Sequence, residues 1–192
     1  MKKFLASALM LLAASTTTFA QNAVGSFSLQ PKAGISIADM TDTQGTTSRI
    51  GFVGGLEGEY QASDIFSLSL GVNYSQEGFK MKNSDNKIKL DYINVPILAN
   101  VYLTKGLAVK VGVQPGFNVG NSVTVDGNTT SSSKKDYDGI KSVALSIPVG
   151  LSYEISNVVL DARYNLGVTK AFDGLDSKNS VFQVTIGYKF QL

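Results

Sequence analysis

Residues Ser142–Val168 read SVALSIPVGLSYEISNVVLDARYNLGV. Val143, Leu145, Ile147, Val149, Leu151 and Tyr153 recur at every second position; after Ser156-Asn157 so do Val158, Leu160, Ala162, Tyr164 and Leu166. A period of two places one set of side chains on one face of a β-strand and the intervening set on the other. The intervening set includes Ser146, Ser152, Glu154, Asp161, Arg163 and Asn165. Two residues between the runs allow only a tight reversal, so they pair as an antiparallel hairpin. Each run is long enough to cross a bilayer as a tilted strand, which takes about 9–11 residues.

The same alternation continues on both sides of this hairpin and gives eight strands. They run from about Ser26 to Ala38, Arg49 to Tyr60, Ile65 to Gln76, Lys89 to Leu103, Leu107 to Val119, Ser142 to Ile155, Val158 to Val168 and Ser180 to Leu192. None of the eight apolar sets includes a charge; apart from Lys89 and Asp91 at the start of the fourth strand, the charged residues of the strands fall on the complementary faces. A soluble sandwich also alternates, with its apolar face turned inward, so three further features decide the orientation.

Connections two, four and six are short (Gln61 to Asp64, Thr104 to Gly106, Ser156 to Asn157). Connections one, three, five and seven are long, about Asp39 to Ser48, Glu77 to Ile88, Gly120 to Lys141 and Thr169 to Asn179. Short turns at one end and long loops at the other are the pattern of outer-membrane barrels, and an even strand count puts both termini on the short-turn, periplasmic side. The chain stops inside a strand, with Ile186, Tyr188, Phe190 and Leu192 in phase. Such a terminal strand resembles the signal read by the outer-membrane assembly machinery. Tyr60, Phe66, Tyr153 and Tyr188 lie near the short-turn ends, and Phe52, Tyr74, Phe117, Tyr164 and Phe182 nearer the loops. Two rings of aromatics suit two membrane interfaces. The fold expected is all-β: an eight-stranded antiparallel up-and-down transmembrane β-barrel. Pro31, Pro96, Pro115 and Pro148 fall inside strand patterns, where bulges or bends are expected because proline cannot donate to a ladder.

Upstream of the strands, Met1-Lys2-Lys3 precedes a short apolar run, Phe4 to Ala14, then Thr18 and Ala20 at the −3 and −1 positions of a cleavage site. Residues 1–20 read as a secretory signal peptide and 21–192 as the barrel. The signal holds two lysines and no acids, so the mature chain carries 17 − 2 = 15 basic and 15 acidic residues, for a net charge of zero. No basic patch with interleaved aromatics is present, and nucleic acid is not an expected partner. The sequence has no cysteine and no histidine, which excludes thiol chemistry, Ser-His-Asp triads and nearly all zinc sites. No cofactor and no enzymatic activity are expected.

The inward faces can then be assigned. Glu57, Glu59, Lys110, Glu154, Asp161, Arg163 and Lys189 gather toward the short-turn end, and Lys32 stands mid-barrel. Toward the loops the inward residues become small and neutral, among them Ser36, Gly51, Asn73, Ser75, Gly116, Asn118, Ser142, Ser146 and Gly167. An eight-stranded barrel is filled by side chains, and buried charges need partners. The eight charged residues therefore read as a lumen ion-pair network. A proton or ion path, or Glu57 and Glu59 as an acid–base pair, are the alternatives; the pair would need a substrate cleft, and no pattern indicates one. The many inward glycines read as relief of crowding, with a shallow polar pocket as the second reading. Asp39 with Asp42, and Asp173 with Asp176, read as loop solvation, and no metal site is expected. Residues 126–135 read as a mobile loop, and Asn128-x-Thr130 matches a short acceptor pattern common by chance.

Three strands carry a family likeness: Tyr92-Ile93-Asn94-Val95-Pro96-Ile97-Leu98, Gly112-Val113-Gln114-Pro115-Gly116 and Asp161-Ala162-Arg163-Tyr164-Asn165-Leu166-Gly167. In that order, after a Lys-Lys signal, they resemble the PorT-like outer-membrane β-barrel family of the Bacteroidota. The resemblance implies an eight-stranded barrel and transfers no functional residue; one namesake serves protein secretion. The role expected is structural or surface-interacting, through long extracellular loops. An accessory barrel of a secretion system and a narrow channel for small solutes are the alternatives. The partners expected are outer-membrane lipid, the barrel assembly machinery, and an unknown surface or secretion partner.

Overall fold

The computed structural model describes residues 23–41, 46–81, 86–125, 128–132, 141–170 and 178–192. The expected signal segment, residues 1–20, and Asp42, Asp173 and Asp176 lie outside the described residues. The strands are β1 (Phe27–Met40), β2 (Thr46–Ser63), β3 (Phe66–Met81), β4 (Lys87–Asn94), β5 (Ile97–Tyr102), β6 (Leu107–Val125), β7 (Asn128–Ser132), β8 (Val143–Ile155), β9 (Val158–Lys170), β10 (Lys178–Tyr188) and β11 (Phe190–Gln191). All pairings are antiparallel, and β1 closes the ring on β10 and β11. β4 and β5 are one stave interrupted at Val95-Pro96, β10 and β11 are one stave interrupted at Lys189, and β7 is a hairpin partner of β6 beyond the ring. The ring therefore has eight staves, as the alternation requires.

Burial settles which face points where. Leu70, Val72 and Ile186 stand on the outside with more than half their surface exposed, whereas their strand neighbours Ser69, Asn73 and Thr185 are buried inside. A water-soluble protein buries the first kind and exposes the second. This arrangement is stable only where the surroundings are apolar and every backbone group is bonded within the ring. The outward aromatics cluster at two levels. Phe27 packs on Tyr60 (centroids 5.1 Å apart) and Tyr188 on Phe190 (4.8 Å) at the short-turn end, and Phe52, Tyr74, Phe117, Tyr164 and Phe182 are exposed toward the other.

The inward glycines mainly allow staves to approach. A Cβ on Gly34 would sit 2.0 Å from the Val184 carbonyl oxygen, and one on Gly112 would sit 2.0 Å from that of Ile97. Any side chain there would collide with the neighbouring backbone.

Three expectations are corrected. First, the prolines shift no register, although Val95-Pro96 interrupts its strand. Asn73↔Asn94 and Leu70↔Ile97 flank Pro96 in one unbroken register, and Val111↔Val149 and Gln114↔Ser146 flank Pro148 in another. Pro31 and Pro115 likewise keep their registers with Leu56 and Leu145. Each proline simply omits its donor while its carbonyl can still accept, as Pro96 does from Gly71 N at 2.9 Å and Pro115 from Val95 N at 2.8 Å. Register shifts occur instead between Ser48 and Val53, Gln61 and Ser63, Asp91 and Tyr92, and Lys178 and Ser180.

Second, the strands overrun the connections assigned to them. β3 and β4 remain paired from Gln76↔Asp91 to Lys80↔Lys87, inside the supposed third loop. β6 continues to Val125 and pairs with β7 at Val123↔Thr130, so Asn128–Ser132 is strand; residues 126–127 and 133–135 of the expected loop lie outside the described residues. At about 3.4 Å per residue, the 19 residues of β6 span about 65 Å, well beyond an apolar band about 25 Å tall. Lipid imposes alternation only within its own thickness; past it, a ladder can continue through any sequence. Met40, Phe79 and the partly buried Ile88 pack together on this extension. Third, Ser142 lies just before β8 and is exposed instead of facing the lumen.

Candidate functional site

The eight charged residues assigned to the lumen come from β1, β2, β6, β8, β9 and the Lys189 interruption of the last stave. The structure brings them into contact as two clusters. In the first, Glu57 on β2 is the hub. Lys32 donates to its Oε2, Lys110 to its Oε1 at 2.9 Å, and Arg163 Nη2 to Oε2 at 3.2 Å. Arg163 also holds Asp161 at 2.9 Å, and Lys110 reaches the same carboxylate at 3.2 Å. β6 and β9 each lie three staves from β2 in opposite directions around the ring, so these contacts cross the lumen rather than run along its wall. Lys32, assigned to the network from a mid-barrel position, meets the Glu57 hub.

In the second cluster Lys189 Nζ lies 3.1 Å from Glu59 and 2.7 Å from Glu154. Glu59 also accepts from the Tyr102 hydroxyl and from Ser67 Oγ at 2.6 Å; Asn100 Nδ2 in turn donates to Ser67 at 2.9 Å. The backbone around Lys189 explains its reach. Asn157, in the turn between β8 and β9, accepts from Lys189 N at 2.7 Å and donates its amide to Lys189 O at 2.9 Å. That clasp replaces the missing ladder and fixes the side chain inward.

Three cations and two anions make up the first cluster, one cation and two anions the second, so the lumen set of four bases and four acids is neutral. All eight side chains are buried or nearly so. Moving such charges from water costs several kcal/mol each, which only mutual contact can offset. Glu57 and Glu59 do not act on a common partner: Glu57 meets Lys32, Lys110 and Arg163, and Glu59 meets Lys189.

Sequence reasoning missed Glu77 and Arg49. Glu77, placed in a loop, is an inward residue of β3 and is buried. Its carboxylate accepts from Asn94 Nδ2 at 3.2 Å and Asn179 Nδ2 at 3.1 Å. Arg49 is also buried and donates to the Glu77 carbonyl oxygen. Extending the period of two past Gln76 would have placed Glu77 inward, but no apolar partner face continued to signal it. Glu77 borders a small chamber above the charged level, where Gly116, Ala144, Ser146 and Gly167 leave space. Among the described residues no group of three or more acidic, His or Cys side chains could hold a metal ion.

Comparison with known proteins agrees with this architecture. A family model described as outer membrane protein beta-barrel domain matches residues 19–173. No curated protein matches the chain. Among solved structures, neisserial surface protein A (NspA) superimposes with a TM-score of 0.57 at 20% identity, covering 85% of this chain and 97% of that one. Ail, the attachment invasion locus protein of Yersinia pestis in complex with the heparin analogue sucrose octasulfate, gives 0.55 at 18% identity, covering 88% of this chain and 100% of that one. Identities this low speak for the fold alone. A closed ring of eight antiparallel staves, apolar outside and ionic inside, together with a family match over most of its length, makes this chain a member of the outer membrane protein beta-barrel domain family.

Proposed function

We propose that the protein is a closed, non-enzymatic barrel that acts at the cell surface through its long connections and the strand extensions beneath them. One observation carries this reading: the ion pairs from Glu57 to Lys110 and Arg163 cross the lumen and fill one level of it with buried side chains. A barrel closed at one level has no continuous water path, whereas β2, β3 and β6 project polar backbone well past the apolar band. Proteoliposomes containing the protein should swell no faster in small sugars or amino acids than protein-free vesicles. Solute entry dependent on the protein would replace this reading with the narrow-channel one.

The orientation belongs to the same proposal: residues 1–20 direct export with cleavage after Ala20, the assembly machinery inserts the barrel, and both termini stay in the periplasm. The chain contains no cysteine, so single cysteines report without interference. On intact cells an impermeant maleimide should label Thr129→Cys, beyond β6, and should reach Lys105→Cys, in a short turn, only after the envelope is opened. The opposite pattern would reverse the orientation. A second reading, an accessory barrel of a protein secretion system, draws on the PorT-like likeness in residues 92–98, 112–116 and 161–167. A deletion strain with an unchanged set of secreted proteins would remove it.

A further inference from the structure

The chamber above the charged level has a volume of about 20 Å³ open to the centre of a water-sized sphere, and its walls come from β3, β4, β6, β8, β9 and β10. A single water needs about 10–15 Å³ by that measure, so the chamber has room for one small particle. Its wall is rich in unused oxygens. The Tyr92 hydroxyl, Gln114 Oε1 and both polar atoms of the Asn165 amide, Oδ1 and Nδ2, are buried without a hydrogen-bond partner, and their residues are at most 3% exposed. The Glu77 carboxylate opens on the same space, held by two amide donors, and has no ion-pair partner among the described residues. Arg49 engages the backbone carbonyl of Glu77, not its carboxylate.

A buried carboxylate beside three unpaired oxygens calls for a positive partner. We infer that the chamber is a binding site for one small monovalent cation of the potassium or ammonium type, ligated by Glu77 with oxygens from Gln114, Asn165 and Tyr92. Charge and size select this class. One carboxylate neutralises a monovalent ion but leaves a divalent one with an uncompensated charge. Magnesium also retains several waters, and the chamber holds only one particle. A water molecule would satisfy the amide oxygens but bring no charge to the Glu77 carboxylate, whose pKa burial pushes up to about 7; a bound cation would hold it ionised. The small residues facing Glu77 create the space: a Cβ on Gly116 would fall 2.3 Å from Asn94 Oδ1, against the amide that orients the carboxylate.

Crystals of the intact barrel soaked in thallium(I), which substitutes for potassium and ammonium, test the site. A single anomalous peak bonded to Glu77 inside the chamber is expected, lost in Glu77→Gln and displaced by excess ammonium. No peak in the wild type, or an unchanged peak in Glu77→Gln, would overturn the assignment. If Glu77→Gln does not fold, Gln114→Leu keeps the carboxylate and removes one ligand; thallium occupancy should then fall, and an unchanged occupancy would refute the site. Solute entry into proteoliposomes is a separate readout, so failure here and failure of the surface reading can be told apart.

Discussion

Glu57 is the residue on which the lumen depends most. It accepts from Lys32, Lys110 and Arg163 at once, whereas Glu154 meets only Lys189 and keeps 13% of its side chain exposed. Removing a hub carboxylate leaves three buried cations facing Asp161 alone, and breaking a buried pair costs about 3–5 kcal/mol. Glu57→Ala should therefore destabilise the folded barrel by about that amount in denaturant titrations in detergent. Glu154→Ala should cost far less, because Lys189 retains Glu59 and water can reach the vacated position. Equal costs for the two would mean the hub geometry is wrong. The eight charges were legible from strand parity, because the hydrophobic partner of each alternation fixes which way the charge must point. Which charges meet across the ring was not, because that depends on stagger between staves three apart. Glu77 was hidden for a different reason: it lies past the apolar band, where Gln76-Glu77-Gly78-Phe79-Lys80 carries no simple alternation.

At the scale of elements, the short-turn ends of the strands were placed to within three residues by the sequence, and the far ends were not. Hairpins such as Ile155–Val158 are pinned by their turns: of the two central residues there, Ser156 takes positive φ (57°), as at the first central position of a type II′ turn. Glycine is the residue such a position favours, so Ser156→Gly should be neutral or stabilise by a few tenths of a kcal/mol in the same titrations. The opposite ends are set by ladders that outlast the lipid. β3 and β4 pair up to Lys80↔Lys87 around Gly78, whose φ is 111° and where a Cβ would fall 2.1 Å from the Ile88 carbonyl oxygen. Gly78→Ala should fray this extension without opening the ring. Backbone amides of residues 87–91 should then lose protection from hydrogen exchange while heat-modifiable migration on gels persists. Loss of migration together with protection would mean that the extension is part of the barrel's cooperative unit.

The molecule as a whole is an inside-out protein, and its tolerance to charge follows from that. Leu70 sits on the lipid face midway between Phe66 and Tyr74, more than half exposed, while Ser69 beside it points into the lumen. An arginine at the bilayer midplane costs about 2–4 kcal/mol in barrels of this kind, so Leu70→Arg should destabilise by that amount in lipid vesicles; a cost near zero would displace the membrane from where the two aromatic levels put it. The all-β, eight-stave ring was readable because one periodicity, imposed by two different solvents, runs through every stave. What fills the ring and what it contacts depend on side chains meeting across space. The central claim is that the cluster around Glu57 closes the lumen, and single-channel recording of the purified barrel in planar lipid bilayers tests it most directly. A silent membrane at all applied voltages is the expected result; stable, protein-dependent conductance steps would contradict it.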